Sequence, residues 1–154
     1  MAASKRLLCL LRDVKQLAQE YYELTGRPLG VTAEVAEYEA TRLLRLDLSP
    51  VRQPGYDATR RTSDGDQLLQ IKGRCISSAN PTGSQRVGSI DLKKPWDAVL
   101  LVLLDEEYNP TEIYEADRPA VTEALTAPGS KARNDRGQLS ISKFKSIGRQ
   151  IWPN

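Results

Sequence analysis

Gly55-Tyr56-Asp57-Ala58-Thr59-Arg60-Arg61-Thr62-Ser63-Asp64-Gly65-Asp66-Gln67-Leu68-Leu69-Gln70-Ile71-Lys72-Gly73-Arg74 reads as two strands joined by a tight turn. Asp64-Gly65 is a two-residue hairpin signal. A type I′ turn needs positive φ at both central residues, which glycine tolerates freely and aspartate better than most. Such a turn sets Ser63 opposite Asp66, Thr59 opposite Gln70 and Asp57 opposite Lys72. Strand side chains alternate with a period of two, so Asp57, Thr59, Gln70 and Lys72 share one face while Leu69 and Ile71 point into a core. Directly opposed residues hold their Cβ atoms about 4.5–5.5 Å apart, so Asp57, Gln70 and Lys72 converge on one small volume. A carboxylate, an amide oxygen and an ammonium gathered there form a candidate site for a metal ion and a water.

The chain around this hairpin has ordinary globular composition. Its 154 residues, 40% hydrophobic and 27% charged, suit one domain over residues 1–154 with a substantial core. A net charge of +2 is too small to argue for nucleic acid by itself, so the placement of the charges matters more. Lys131, Arg133, Arg136, Lys143, Lys145 and Arg149 stand against Asp135 alone near the end of the chain, and Arg60, Arg61, Lys72 and Arg74 crowd the hairpin. A solvated basic tail is the plainer account of the former group. The absence of histidine excludes His-dependent triads, His general bases and His-ligated zinc. Cys9 and Cys75 have neither metal-ligand spacing nor a disulfide framework, so a reduced, cytoplasmic chain is expected. No apolar run approaches the roughly 18 residues of a membrane span, and residues 7–11 run into Arg12, Asp13 and Lys15, so neither a membrane partner nor a secretory signal is expected.

Upstream of the hairpin the pattern is helical. Ser4 can cap a helix whose apolar positions Leu7, Leu10, Leu11, Val14, Leu17, Ala18 and Tyr21 recur at helical spacing, with Gly26 and Pro28 as the stop. This amphipathic element over residues 1–26 is expected to pack on the domain, with homodimerisation through it as the alternative. A second helix is predicted over residues 32–46, with Thr32 as N-cap. At about 100° per residue, Ala33, Ala36, Ala40, Leu43, Leu44 and Asp47 cluster on its buried face. Glu37 borders that face, and Glu34 lies in the first turn, where the helix dipole favours a carboxylate for structural reasons alone. A glutamate beside a buried stripe incurs a desolvation cost unless a cation waits for it, which makes Glu37 the functional candidate and Glu34 the structural one. Both are retained.

Residues 51–53 suggest a brief strand. Downstream of the hairpin, residues 77–95 are broken by Pro81, Gly83, Gly88 and Pro95; the tip at residues 80–83 reads as a mobile surface loop, and residues 89–92 are either extended or a short helical turn. Ala98-Val99-Leu100-Leu101-Val102-Leu103-Leu104 is the most hydrophobic run and fits a strand covered on both faces. A neighbouring strand over residues 111–115, a helix from Pro119 through about Ala124, a polar loop over residues 127–137 and one or two helical turns over residues 140–147, ended by Gly148, complete the chain. Phe144, Ile147, Ile151 and Trp152 anchor the tail. The expected class is α/β or α+β: a central mixed sheet flanked by helices, with an extra N-terminal helix and a basic C-terminal segment.

A glutamate on a helix, Gly55-Tyr56-Asp57, then Gln70-Ile71-Lys72 on the following strand resembles the PD-(D/E)XK nuclease superfamily, in the variant where glutamine replaces the second acid. The layout is similar to that of Mrr-like restriction endonucleases and archaeal Holliday-junction resolvases, and spans residues 32–104; residues 1–26 and 105–154 lie outside it. The resemblance implies a restriction-endonuclease-like fold and hydrolysis of phosphodiester bonds, with DNA favoured over RNA and the choice between them left open. It implies that Asp57, the Gln70 side-chain oxygen and the Ile71 carbonyl ligate a divalent metal, with Glu37 or Glu34 completing the site. Lys72 would orient or help deprotonate the attacking water. Hard oxygen ligands suit Mg²⁺ or Mn²⁺, and with a neutral Gln70 one metal fits better than two. The crossover helix of the family between its third and fourth strands is not legible in residues 77–96. Phosphate contacts are expected from Arg60, Arg61, Arg74, Arg86, Lys143 and Lys145, with Lys93 and Lys94 as further candidates. Three other readings are a binding module of the same fold without catalysis, a dimerising interaction subunit, and an unremarkable Asp57 to Lys72 ion pair on a solvated sheet face.

Overall fold

A computed structural model describes residues 2–50, 54–77, 85–128 and 137–154, with side chains from Lys5 onward. Helix α1 (Ala2–Thr25) is already running at Ala2, so Ser4 sits inside its first turn and is not the cap. Gly26 ends it at φ 68°, its N–H donating to the Tyr22 carbonyl at 2.8 Å. Helix α2 (Thr32–Leu44) is capped by Val31 without a side-chain hydrogen bond; the Thr32 hydroxyl lies 3.8 Å from the Cys75 Sγ and does not turn back onto the helix end.

Six strands follow among the described residues: β1 (Asp47–Leu48), β2 (Ala58–Thr62), β3 (Gly65–Cys75), β4 (Ala98–Leu104), β5 (Pro110–Asp117) and β6 (Arg149–Trp152). They form one open mixed sheet in the order β1-β2-β3-β4-β5-β6, in which β3 and β4 are parallel and every other pair is antiparallel. Helices α3 (Arg118–Thr126) and α4 (Ile141–Ile147) complete an α+β chain. Both start on side-chain caps, Asp117 accepting the Ala120 N–H at 2.9 Å and Ser140 the Lys143 N–H at 3.1 Å.

β4 is buried along its whole length, because both faces are covered. Leu100, Val102 and Leu104 join Leu69, Ile71, Val35, Ala36 and Ala40 under α2, and Val99, Leu101 and Leu103 join Trp96, Val121 and Phe144 under α3 and α4. No helix among the described residues is long and apolar enough to cross a membrane.

The hairpin forms with a different turn. Ser63 and Asp64 keep negative φ and the single positive φ falls on Gly65, at 116°, so the central residues are Ser63-Asp64 and glycine follows them. The register therefore slides by two: Arg61 faces Asp66 and Ala58 faces Leu69. A shift of two preserves the side-chain faces, so Gln70 and Lys72 still lie opposite to Leu69 and Ile71, but Asp57 now stands beside Gln70 and not Lys72.

Other expectations need correction. On α2 the buried residues are Val35, Ala36, Glu39, Ala40 and Thr41, while Ala33 is exposed and Asp47 belongs to β1. The helix lies so close to β3 that Gly73 is required: a Cβ there would meet the Ala36 Cβ at 2.5 Å. That approach rotates the stripe towards Ala36 and away from Ala33. The tail pairs with β5 as β6, a strand the sequence reading did not anticipate. Residues 89–92 are neither strand nor helix, although Val87 and Ile90 plug the second core. The expected strand over residues 51–53, the tip at residues 80–83 and most of the polar loop over residues 127–137 lie outside the described residues.

Candidate active site

Asp57 immediately precedes β2 and is held by the strand beside it. Its N–H donates to the Leu69 carbonyl and its Oδ2 accepts the Ile71 N–H, each at 2.8 Å. This clamp sets the carboxylate against the edge of β3 just beyond the last residue that β2 pairs. In a strand the N–H and C=O of one residue point to the same edge, so the Ile71 carbonyl is directed to the Asp57 side as well. Gln70, 8% exposed, donates its Nε2 to the Gly55 carbonyl at 2.9 Å, and its Oε1 is buried without a partner. A buried acceptor left unpaired is costly and calls for a donor or a cation. Asp57, Gln70 and the Ile71 carbonyl thus fit an oxygen-ligated divalent cation on this chain's own chemistry.

Glu37 approaches on α2, which covers the Leu69 and Ile71 side of β3, the side opposite to Gln70 and Lys72. The Gly73 contact seats Ala36 on β3, and the next residue, Glu37, is half-buried within electrostatic reach of Asp57 and Lys72. Its carboxyl is pushed up to about 7, first by burial, then by the charges of Asp57 and Glu34, against the pull of Lys72. Burial also raises Asp57, opposed by the Ile71 N–H and by Lys72. The Lys72 ammonium is held below its ordinary value, mainly by burial and further by Arg74 and Lys94, while Asp57 and Glu37 work the other way. These three groups form one electrostatic cluster, yet among the described residues Asp57 and Lys72 make no direct ion pair. The plain cross-strand pair is therefore not what the register delivers. Glu34 is exposed and acts on the cluster only through its charge on Glu37. Among the described residues no group of three or more Asp, Glu, Cys or His side chains is arranged to hold a metal, so any ion here would depend on the Gln70 and backbone oxygens.

The basic candidates divide into two sets. Arg60 is committed to Gln67, at 2.9 Å, and to a short ion pair with Glu115, which Arg149 approaches at 3.5 Å. These residues line a cavity of about 650 Å³ that contains none of Glu37, Asp57, Gln70 or Lys72. Arg74 braces the Arg86 and Gly73 carbonyls, both at 2.6 Å. Arg61 pairs with Asp47 and Lys145 with Glu112, whereas Arg86 and Lys143 are exposed.

Two features escaped the sequence reading. Glu39 is fully buried on α2, between Lys15 at 2.6 Å and Arg42 at 2.5 Å; its position three residues after Ala36 was the available signal. Arg118 stacks on Trp96, 4.5 Å from the ring centroid, and donates to the Leu92, Lys94 and Trp96 carbonyls, which holds Lys94 where its charge reaches Lys72. No protein-family model matches this chain, and no curated protein matches it.

Proposed function

We propose that the chain is a divalent-metal-dependent nuclease hydrolysing phosphodiester bonds, with DNA the better-fitting substrate, on a restriction-endonuclease-like variant of its mixed sheet. The carrying observation is the Asp57 carboxylate clamped to the Ile71 N–H, next in sequence to Gln70 with its buried, orphaned Oε1, and followed by Lys72, whose ammonium is held below its ordinary value. Asp57, Gln70, the Ile71 carbonyl and Glu37 would hold Mg²⁺ or Mn²⁺; such an ion, when bound, polarises a phosphoryl oxygen and lowers the pKa of its water. Lys72 has the properties of the group that handles the water proton, because a lysine held below its ordinary pKa accepts and returns protons more readily near neutrality. In its charged form it also stabilises negative charge on the phosphate. Glu37, raised towards neutrality, is poised to lose its proton when positive charge arrives.

Incubation with supercoiled plasmid and Mg²⁺ or Mn²⁺ tests this. Nicking is expected that EDTA abolishes and that falls by at least about a hundredfold in Asp57→Ala and in Lys72→Ala. Absence of cleavage by the intact protein, or cleavage that survives both substitutions, removes the proposal. A second reading is favoured by the neutral Gln70 and by the lack of a three-acid cluster among the described residues. In it the same fold binds nucleic acid without cutting, with strongly salt-dependent affinity and no divalent requirement.

A further inference from the structure

We propose that Lys94 binds a backbone phosphate of the nucleic acid beside Lys72, and that Arg118 positions it through the segment from Asp91 to Trp96. The inference rests on the nuclease reading of that site, whose loss its test detects separately. Arg118, at the start of α3, spends its guanidinium on this segment. Its Nη1 donates to the Lys94 and Trp96 carbonyls, both at 2.8 Å, and its Nη2 donates to the Leu92 carbonyl. The guanidinium carbon also lies 4.5 Å from the centroid of the Trp96 ring. Trp96 is itself buried, and its Nε1 donates to the Asp91 carbonyl at 2.9 Å. The carbonyls of Asp91, Leu92, Lys94 and Trp96 are thus tied to two side chains, while the Lys93 and Lys94 side chains stay exposed.

The braced segment rests on the candidate site. Gly55 takes φ 91°, and a Cβ there would meet the Pro95 Cδ at 2.7 Å and the Lys94 Cβ at 3.1 Å. The Gly55 carbonyl accepts the Gln70 Nε2 at 2.9 Å, so the stem of Lys94 is rooted against the backbone that holds Gln70. Trp96 packs in the core on that same side of the sheet, the side of Gln70 and Lys72. Among the described residues the Lys94 ammonium has no ion pair. Asp91, the acid of the segment, turns its Oδ1 onto the Lys93 N–H at 2.9 Å. Lys94, and not Lys93, is among the charges that act on Lys72, and it opposes the Lys72 ammonium. Two ammonium groups held within reach of one another repel, and no contact in the fold requires that arrangement. An anion received by both relieves it. Beside the Asp57 and Gln70 oxygens, the anion that fits is a phosphate of the strand to be cut, since phosphate contacts fix where a nucleic acid lies.

Two measurements on the full chain test this: binding of a short DNA duplex in EDTA over a range of KCl concentrations, by fluorescence anisotropy, and plasmid nicking in Mg²⁺. Lys94→Gln should make the slope of log K against log salt shallower by about 0.9, the share of one phosphate contact. It should also raise KM for nicking at least about threefold, with kcat falling less. Lys94→Arg should keep the parent slope, and Lys93→Gln should move KM clearly less than Lys94→Gln does. Arg118→Lys keeps the charge but loses the fork, so it should reproduce the KM rise and add nothing to it in the Lys94→Gln background. Parent-like slope and KM in Lys94→Gln, equal effects of Lys93→Gln and Lys94→Gln, or Arg118→Lys and Lys94→Gln effects that simply multiply would each overturn the proposal. Nicking by the parent with Lys94→Gln indistinguishable from it removes this inference alone. A parent that binds without nicking removes the nuclease reading and leaves the salt slope to decide Lys94, and a parent that binds no DNA overturns both.

Discussion

Replacing Glu37 by glutamine removes one charge from the buried cluster while keeping its shape, and the consequence for stability has a definite sign. A carboxyl raised from 4.5 to about 7 in the folded state contributes stability that is full below its unfolded value and lost as pH rises through the folded one. At about 1.4 kcal/mol per pKa unit the upper bound is roughly 3 kcal/mol by pH 8; partial exposure of the side chain lowers this to roughly 1–2 kcal/mol. In EDTA, Glu37→Gln should therefore match the parent near pH 5 and exceed it by about 1–2 kcal/mol at pH 8. Asp57 is raised for the same physical reason and remains in both proteins, so the parent-minus-variant difference reports Glu37 together with the response of its coupled neighbours Asp57 and Lys72. Urea unfolding at the two pH values measures the difference directly. Adding Mg²⁺ at pH 8 should reverse its sign, since a bound cation repays the charged glutamate and gives the glutamine less. Identical pH slopes for the two proteins in EDTA would refute the burial of Glu37, and an unchanged difference with Mg²⁺ would refute its place beside the ion.

Gly73→Ala should destabilise the protein by about 1–3 kcal/mol in chemical unfolding, because the added methyl would press on the Ala36 Cβ and lift α2, and Glu37 with it, from β3. A fully stable variant would show that the helix has room to move. Lys15→Ala should cost about 2–4 kcal/mol by thermal or urea unfolding, because Glu39 is completely buried and keeps only the half-exposed Arg42 as a partner. A loss well under 1 kcal/mol would mean that Arg42 alone satisfies the buried carboxylate.

Local chemistry was enough to place most elements. The seven-residue apolar run became the fully buried β4, the caps at Asp117 and Ser140 opened α3 and α4 within a residue or two of expectation, and Gly26 closed α1. These features are legible because each depends on neighbours close along the chain. The turn was misread for an equally local reason: Asp-Gly is a strong pair signal, but Asp64 stays at negative φ and Gly65 alone takes the unusual conformation.

The faces of the hairpin survived that error because alternation has period two and the slip was two residues. By itself, then, the sequence determined most of the elements, though not β1 or β6, along with the mixed sheet and the parity that puts Gln70 and Lys72 on one side. Tertiary contact decided the rest: how Asp57 is held at the edge of β3, that Glu37 is half-buried within electrostatic reach of it while Glu34 stays exposed, that Glu39 is buried with Lys15, and that one stripe of α1 stays uncovered. Those outcomes depend on how closely α2 approaches Gly73 and on groups far apart in the chain. Burial and long-range charge have no counterpart in local residue spacing.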